Sequence, residues 1–193
     1  MPQRSVAITF AVLLLTACAG TSGAPETSSA VVRADAISIS VPGHPEMSFL
    51  AKKNEANTGS CNGNNVSPPV QWSHGPAATK SYAVMMSDPD GGRGRGSTHW
   101  IAYNIPLSTT SLAEGAGSSA TAIFTHGKNQ AGQEQYRGPC PSAGDQPHHY
   151  IIGVYALDLD PGALHAGLDR EKFIAAVAEH SLSYASIILL YAR

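Results

Sequence analysis

Four short runs of nearly unbroken apolar character recur along the chain: Tyr82 to Met86, Trp100 to Ile105, Tyr150 to Leu157 and Ile187 to Tyr191. Runs of this length read as strands, and their lack of apolar–polar alternation predicts strands covered on both faces. A fifth run, Ala36-Ile37-Ser38-Ile39-Ser40-Val41, alternates and then stops at Pro42-Gly43, which predicts a half-buried strand. Gly-, Pro-, Ser- and Asn-rich stretches separate the runs, notably Asn57 to Pro69, Gly91 to Ser97 and Ala131 to Pro147. Loops of that length usually carry function. One helix stands out. Asp169 is a good N-cap, and Phe173, Ile174, Val177 and Leu182 recur close to a helical period through Glu179 and His180. Leu112 to Gly115 reads equally as a turn of helix or as loop. The predicted class is mainly β with one or two peripheral helices.

The N-terminus predicts export. A short cationic stretch ends at Arg4, a ten-residue apolar run spans Val6 to Leu15, and small residues precede Cys18. Ten residues fall well short of the roughly twenty a helix needs to cross a bilayer, so residues 1–17 read as a removable signal and not a span. Leu15-Thr16-Ala17-Cys18 matches the bacterial lipobox, which predicts a diacylglycerol on Cys18 as the mature N-terminus, the alternative being a secreted protein cut nearby, for example after Ala19. Residues 18–30 then form a flexible tether, and residues 31–193 one domain on the extracytoplasmic face of the membrane.

Losing residues 1–17 removes Arg4 and no acid, leaving 11 bases against 14 acids. That density of cations cannot neutralise a run of phosphates, and no basic aromatic stripe appears, so nucleic acid is excluded as a partner. With Cys18 lipidated, Cys61 and Cys140 remain, and in an oxidising compartment they read either as a disulfide or as two buried thiols. Neither belongs to a Cys-x-x-Cys pair, and no His lies at zinc-finger spacing from them.

Polar residues gather where loops meet the predicted strands: Asp88-Pro89-Asp90, His99-Trp100 and Pro147-His148-His149-Tyr150. In extended backbone Asp88 and Asp90 can point the same way, and together with the imidazoles they suggest one small polar pocket. Taken singly, an aspartate beside proline more often caps nearby amides, and a histidine opening an apolar strand is more often a core or edge residue.

Ser60-Cys61-Asn62-Gly63-Asn64-Asn65-Val66-Ser67-Pro68-Pro69, Asp88-Pro89-Asp90, His99-Trp100, Gly138-Pro139-Cys140-Pro141 and Pro147-His148-His149-Tyr150 occur in that order. In this the chain, from about Ala36 to Arg193, resembles the phosphatidylethanolamine-binding proteins, in their bacterial Raf-kinase-inhibitor-like branch. The resemblance implies a β-sandwich with a large antiparallel sheet and an anion-binding pocket formed by Asp88, Asp90, His99, His148 and Tyr150 around a phosphate-bearing headgroup. It implies binding without chemistry, so no catalytic residue, metal ligand or cofactor is assigned. Two departures stand out. Gly91-Gly92-Arg93-Gly94-Arg95-Gly96 follows Asp-Pro-Asp where the family usually continues Ala-Pro, which predicts a looser rim. His149 stands where the family has an arginine, and strand alternation turns it away from its neighbours.

Other classes remain open at this level. Asp, Asp, His, His also binds divalent metals, so a metal-assisted hydrolase is the enzyme rival. No Gly-x-Ser-x-Gly supports a serine hydrolase, and Gly91 to Ser97 lacks the Gly-Lys-Ser/Thr of a phosphate loop. Arg93 and Arg95 read as solvated loop charges that could draw in an anion. Inhibition of a kinase or protease through the pocket-rim loops is the third class. Trp100 and Tyr103 are expected in the core or pocket wall, while His44, His74, His126, His165 and His180 are assigned no role.

Overall fold

A computed structural model describes residues 36–193; the expected signal, lipid attachment at Cys18 and tether lie outside the described residues. The strands are β1 (Ile39–Ser40), β2 (Val70–Trp72), β3 (Ser81–Asp88), β4 (Ser97–Pro106), β5 (Ser111–Leu112), β6 (Thr125–His126), β7 (His148–Leu157) and β8 (Ser181–Tyr191). They form two antiparallel sheets. The smaller has the order β1-β2-β5 and the larger β6-β4-β3-β7-β8. A single turn, α1 (Gly91–Gly94), one regular helix, α2 (Arg170–Ala178), and two short 3-10 turns at Lys52–Asn54 and Ala116–Ser118 complete the described fold.

The unbroken apolar runs follow from burial on both faces of the large sheet. Tyr82, Val84, Met86, Trp100, Ala102, Tyr150, Ile152 and Val154 point to one face, where they pack with Val70, Trp72 and Leu112 of the small sheet. Ala83, Met85, Ile101, Tyr103 and Leu157 point to the other, beneath Phe173 and Val177 of α2. Trp100 and Tyr103 are therefore both fully buried, on opposite faces. Phe173 is the anchor of the helix, and its truncation to alanine is worth roughly 3–5 kcal/mol.

Two expectations shift. The side chain of Asp169 caps α2 through the Lys172 amide at 2.9 Å, but the helix ends at Ala178, and Leu182 lies exposed in β8. The apparent helical period ran across the helix into the next strand. Leu112 ends β5, and the helical turn nearby falls later, at Ala116–Ser118.

Chain pairing along β4 is irregular at two points. Between Met86↔Trp100 and Ser87↔Thr98 one residue, His99, has no partner on β3. Asn104, with φ 56°, takes part in the second irregularity, opposite Ala83. A bulge of this kind re-aims a side chain, and the first one matters for the site.

Candidate functional site

The C-terminal end of β3 and the N-terminal ends of β4 and β7 meet at one end of the large sheet, because β3 runs antiparallel to both neighbours. Asp88, His99 and His148 are thereby brought together around a cavity of about 510 Å³, which Asp90, Arg93 and Arg137 also line. Asp88, His148 and Tyr150 share a face by the two-residue period of their strands, the face that carries Met86 and Ile152. Strict alternation would turn His99 away from Trp100 and towards α2. The bulge returns it to the pocket, where its ring lies edge-on to Tyr150 at 5.2 Å and its Nε2 lies 3.9 Å from Asp88 Oδ2.

Asp88 is 3% exposed and its charge is answered from within the protein. Oδ1 accepts the amides of Asp90 and Gly91, both at 2.9 Å, and Oδ2 accepts from His148 Nδ1 at 2.8 Å. The loop-capping role and the pocket role are thus one arrangement. A Cβ on Gly91 would lie 2.9 Å from Asp88 Oδ2 and 2.5 Å from Ser97 Oγ, so only glycine lets the turn close this tightly. Asp90 does not follow Asp88 into the pocket in extended backbone, because the chain has already turned into a helical conformation there. Its carboxylate accepts from the His149 amide and His149 Nδ1, both at 2.8 Å. That amide, followed by the His149 ring, holds Asp90 below the usual carboxylate range. His149 is absent from the pocket lining, as alternation predicts, yet it fixes the rim through Asp90.

His99 is held in one tautomer. Its Nδ1–H donates to the Arg137 carbonyl at 2.7 Å, which leaves Nε2 facing Asp88. Burial pushes the imidazole below its ordinary value, against the opposing pull of the Arg137 carbonyl and the Asp88 charge. Tyr150 lies fully buried beneath the histidines, its ring stacked near His148 at 6.5 Å. Its hydroxyl is close to Asp88 without reaching hydrogen-bond geometry to any described residue, and burial, then the Asp88 charge, raises its pKa. Tyr150 is therefore floor and not lining.

Arg137 and Asp145 also line the cavity, and sequence reasoning missed both. Each lies in a long connection with no periodicity to orient it; the adjacent Gly138-Pro139-Cys140-Pro141 motif was the available signal for Arg137. Asn65 fixes this wall, accepting from the Gly138 amide at 2.8 Å and donating to the Tyr136 carbonyl at 3.1 Å. Cys61 and Cys140 form a disulfide with Cα atoms 5.9 Å apart, and Cys140 itself lines the cavity. Arg193 reinforces the same junction, donating to the Pro141 carbonyl at 2.8 Å and to Ser60. The motif from Ser60 to Pro69 is thus a buttress for this wall of the cavity. Among the described residues, no three His, Cys, Asp or Glu side chains are disposed to hold a metal ion.

A sheet end carrying an internally hydrogen-bonded aspartate, two histidines and a disulfide-braced arginine wall defines a class of small-ligand pocket. Residues 47–192 match the family model described as phosphatidylethanolamine-binding protein. The chain is 35% identical over 132 residues to the UPF0098 protein YbhB of Escherichia coli strain K12, covering 67% of this chain and 83% of that protein. It is 39% identical over 127 residues to LppC of Mycobacterium tuberculosis strain H37Rv, which is named as a lipoprotein, covering 62% of this chain and 58% of the relative. The crystal structure of E. coli YbcL, described as a new member of the mammalian PEBP family, superposes with a TM-score of 0.75 at 28% identity, covering 81% of this chain and 98% of YbcL. The chain belongs to the phosphatidylethanolamine-binding protein family, in its bacterial YbhB/YbcL-type branch.

Proposed function

We propose that this protein is a membrane-anchored, extracytoplasmic binding protein that takes a small phosphate-bearing ligand, of the phosphoethanolamine kind, into the cavity at the end of the large sheet. One observation carries the reading. The carboxylates of Asp88 and Asp90 already accept hydrogen bonds from amides and histidines, whereas Arg93 and Arg137 line the cavity and their guanidiniums make no ion pair among the described residues. Arg137, whose carbonyl accepts from His99 Nδ1 at 2.7 Å, lines the cavity next to that imidazole. Arg93 and Arg137 are therefore the cationic donors left free for a ligand, which suits a phosphate. Asp145, the lining carboxylate without an ion-pair partner among the described residues, supplies the complement for an ammonium group.

Binding without bond-making is part of the proposal, since both carboxylates that a hydrolase would employ are committed to hydrogen bonds inside the protein. Anchoring through Cys18 is supported by the lipobox and by the likeness to LppC; no described helix is long and apolar enough to cross a membrane. Calorimetric titration of phosphoethanolamine into the wild type, Arg137→Ala and His148→Ala tests the pocket. Each variant should bind at least roughly tenfold more weakly, as loss of a charge-assisted contact implies. Equal affinity in all three would place the ligand elsewhere.

A further inference from the structure

The rim segment that departs from the family pattern has an internal oddity. Gly92, Gly94 and Gly96 take positive φ, as glycine readily does, but Arg93 also sits at φ 60° and ψ 49° between them. A left-handed conformation is strained for arginine, and glycine, already used at three neighbouring positions, would adopt it freely. The two arginines of the segment differ in what they do. Arg95 has ordinary dihedrals and turns its Nε back onto the Gly92 carbonyl at 3.0 Å. Arg93 makes no such bond, and it is Arg93 that lines the cavity. Arg137 approaches the same cavity from the separate connection between β6 and β7.

We propose that Arg93, carried on the Gly91–Gly96 arm, works with Arg137 to make the pocket selective for a phosphomonoester over a phosphodiester. The inference rests on the binding function proposed above. A monoester offers three terminal oxygens and up to two negative charges, enough for two guanidinium forks; a diester offers two oxygens and one charge. The strain at Arg93 is then the cost of bringing a second fork to the rim. The chemistry selected is that of a released headgroup or another small phosphate ester, and not the diester linkage of an intact phospholipid.

Phosphoethanolamine and glycerophosphoethanolamine share the ammonium group and differ at the phosphate, so their titration at pH 7.5 separates the two sources. The wild type should bind the monoester roughly tenfold or more tightly than the diester. Arg93→Gly should reduce monoester affinity to about the level of the diester while Tm stays unchanged or rises by roughly 2–4 °C, because the strain is released. Arg93→Lys, which keeps the charge and loses the fork, should restore part of the selectivity. Equal binding of both ligands by the wild type, or selectivity that survives in Arg93→Gly, overturns the inference and leaves the pocket standing. No binding of either ligand by the wild type overturns both.

Discussion

His148 Nδ1 lies 2.8 Å from Asp88 Oδ2, and the same carboxylate takes two backbone amides on its other oxygen. Since Nδ1–H donates to the carboxylate, the neutral ring of His148 has only a lone pair left at Nε2, an acceptor that repels an anion. Protonation makes Nε2 a donor. The pair Asp88–His148 thus fixes Nε2 as the ring nitrogen left for a ligand.

Removing the Asp88 carboxylate should destabilise the fold as well as the site. Asp88→Ala leaves two amides and a histidine without their acceptor in a nearly closed environment, an expected loss of about 2–3 kcal/mol, read by urea denaturation. Asp90→Ala, whose carboxylate is 43% exposed, should cost well under half of that. Equal losses would contradict the division of labour between the two aspartates.

Reduction of the Cys61–Cys140 bridge should lower both stability and affinity. The cysteines are 79 residues apart, so the chain-entropy model assigns the cross-link about 4 kcal/mol, equivalent to a fall in Tm on the order of 10 °C. Because Cys140 lines the cavity, phosphoethanolamine affinity should fall below the melting transition too. Unchanged affinity in the reduced, folded protein would show that Asn65 and Arg193 hold the wall unaided.

Stability should decline on acidification because of His99 and His126. Burial lowers the pKa of both in the folded state, so the unfolded chain binds the extra protons. Unfolding free energy therefore rises with pH through this window: the contribution is complete above the unfolded value of about 6.5 and is lost as pH drops below it. Melting curves from pH 7.5 to 5.5 should show a falling Tm, less steep in His99→Gln and less steep when phosphate is present. A flat profile would refute the buried neutral assignment.

Much of this was legible beforehand, for a definite physical reason. The double-sided burial of β3, β4 and β7 removes alternation from their sequences, so the central sheet announced itself, as did the Asp169 cap. The site was legible as a set of residues, because Asp88, His99 and His148 each sit where a strand meets a loop. What the sequence did not reveal depends on local backbone geometry. The bulge that turns His99 into the pocket leaves no periodic trace, Asp90 is diverted to His149 by a turn one residue after the strand, and Arg137 and Asp145 lie in aperiodic chain. Tyr150 lies beneath its neighbours and not among the residues that line the cavity.

Membrane attachment should depend on one atom. On the proposed anchoring, Cys18→Ser should move the protein from the membrane to the soluble extracytoplasmic fraction, because the diacylglycerol would be lost and ten apolar residues are too few to span a bilayer. Persistent membrane association of the variant would require a different anchor.

The most direct test of the central claim is calorimetric titration of the wild type with phosphoethanolamine, and separately with zinc, at pH 8 and pH 6. Arg93, Arg137, Asp90 and Asp145 face the same cavity as the imidazoles of His99 and His148. A phosphate brought beside the Asp88 carboxylate and the unprotonated ring nitrogens binds with uptake of a proton by the site, while the second ionisation of the phosphate, near 6, removes only about half of the dianion. Phosphoethanolamine affinity should therefore rise, by up to roughly tenfold, as pH falls from 8 to 6. Metal ligation runs the other way, because its donors must be deprotonated. Tight stoichiometric zinc binding that weakens on acidification, with no phosphoethanolamine heat at either pH, would contradict the binding-protein account and favour a metal-dependent hydrolase.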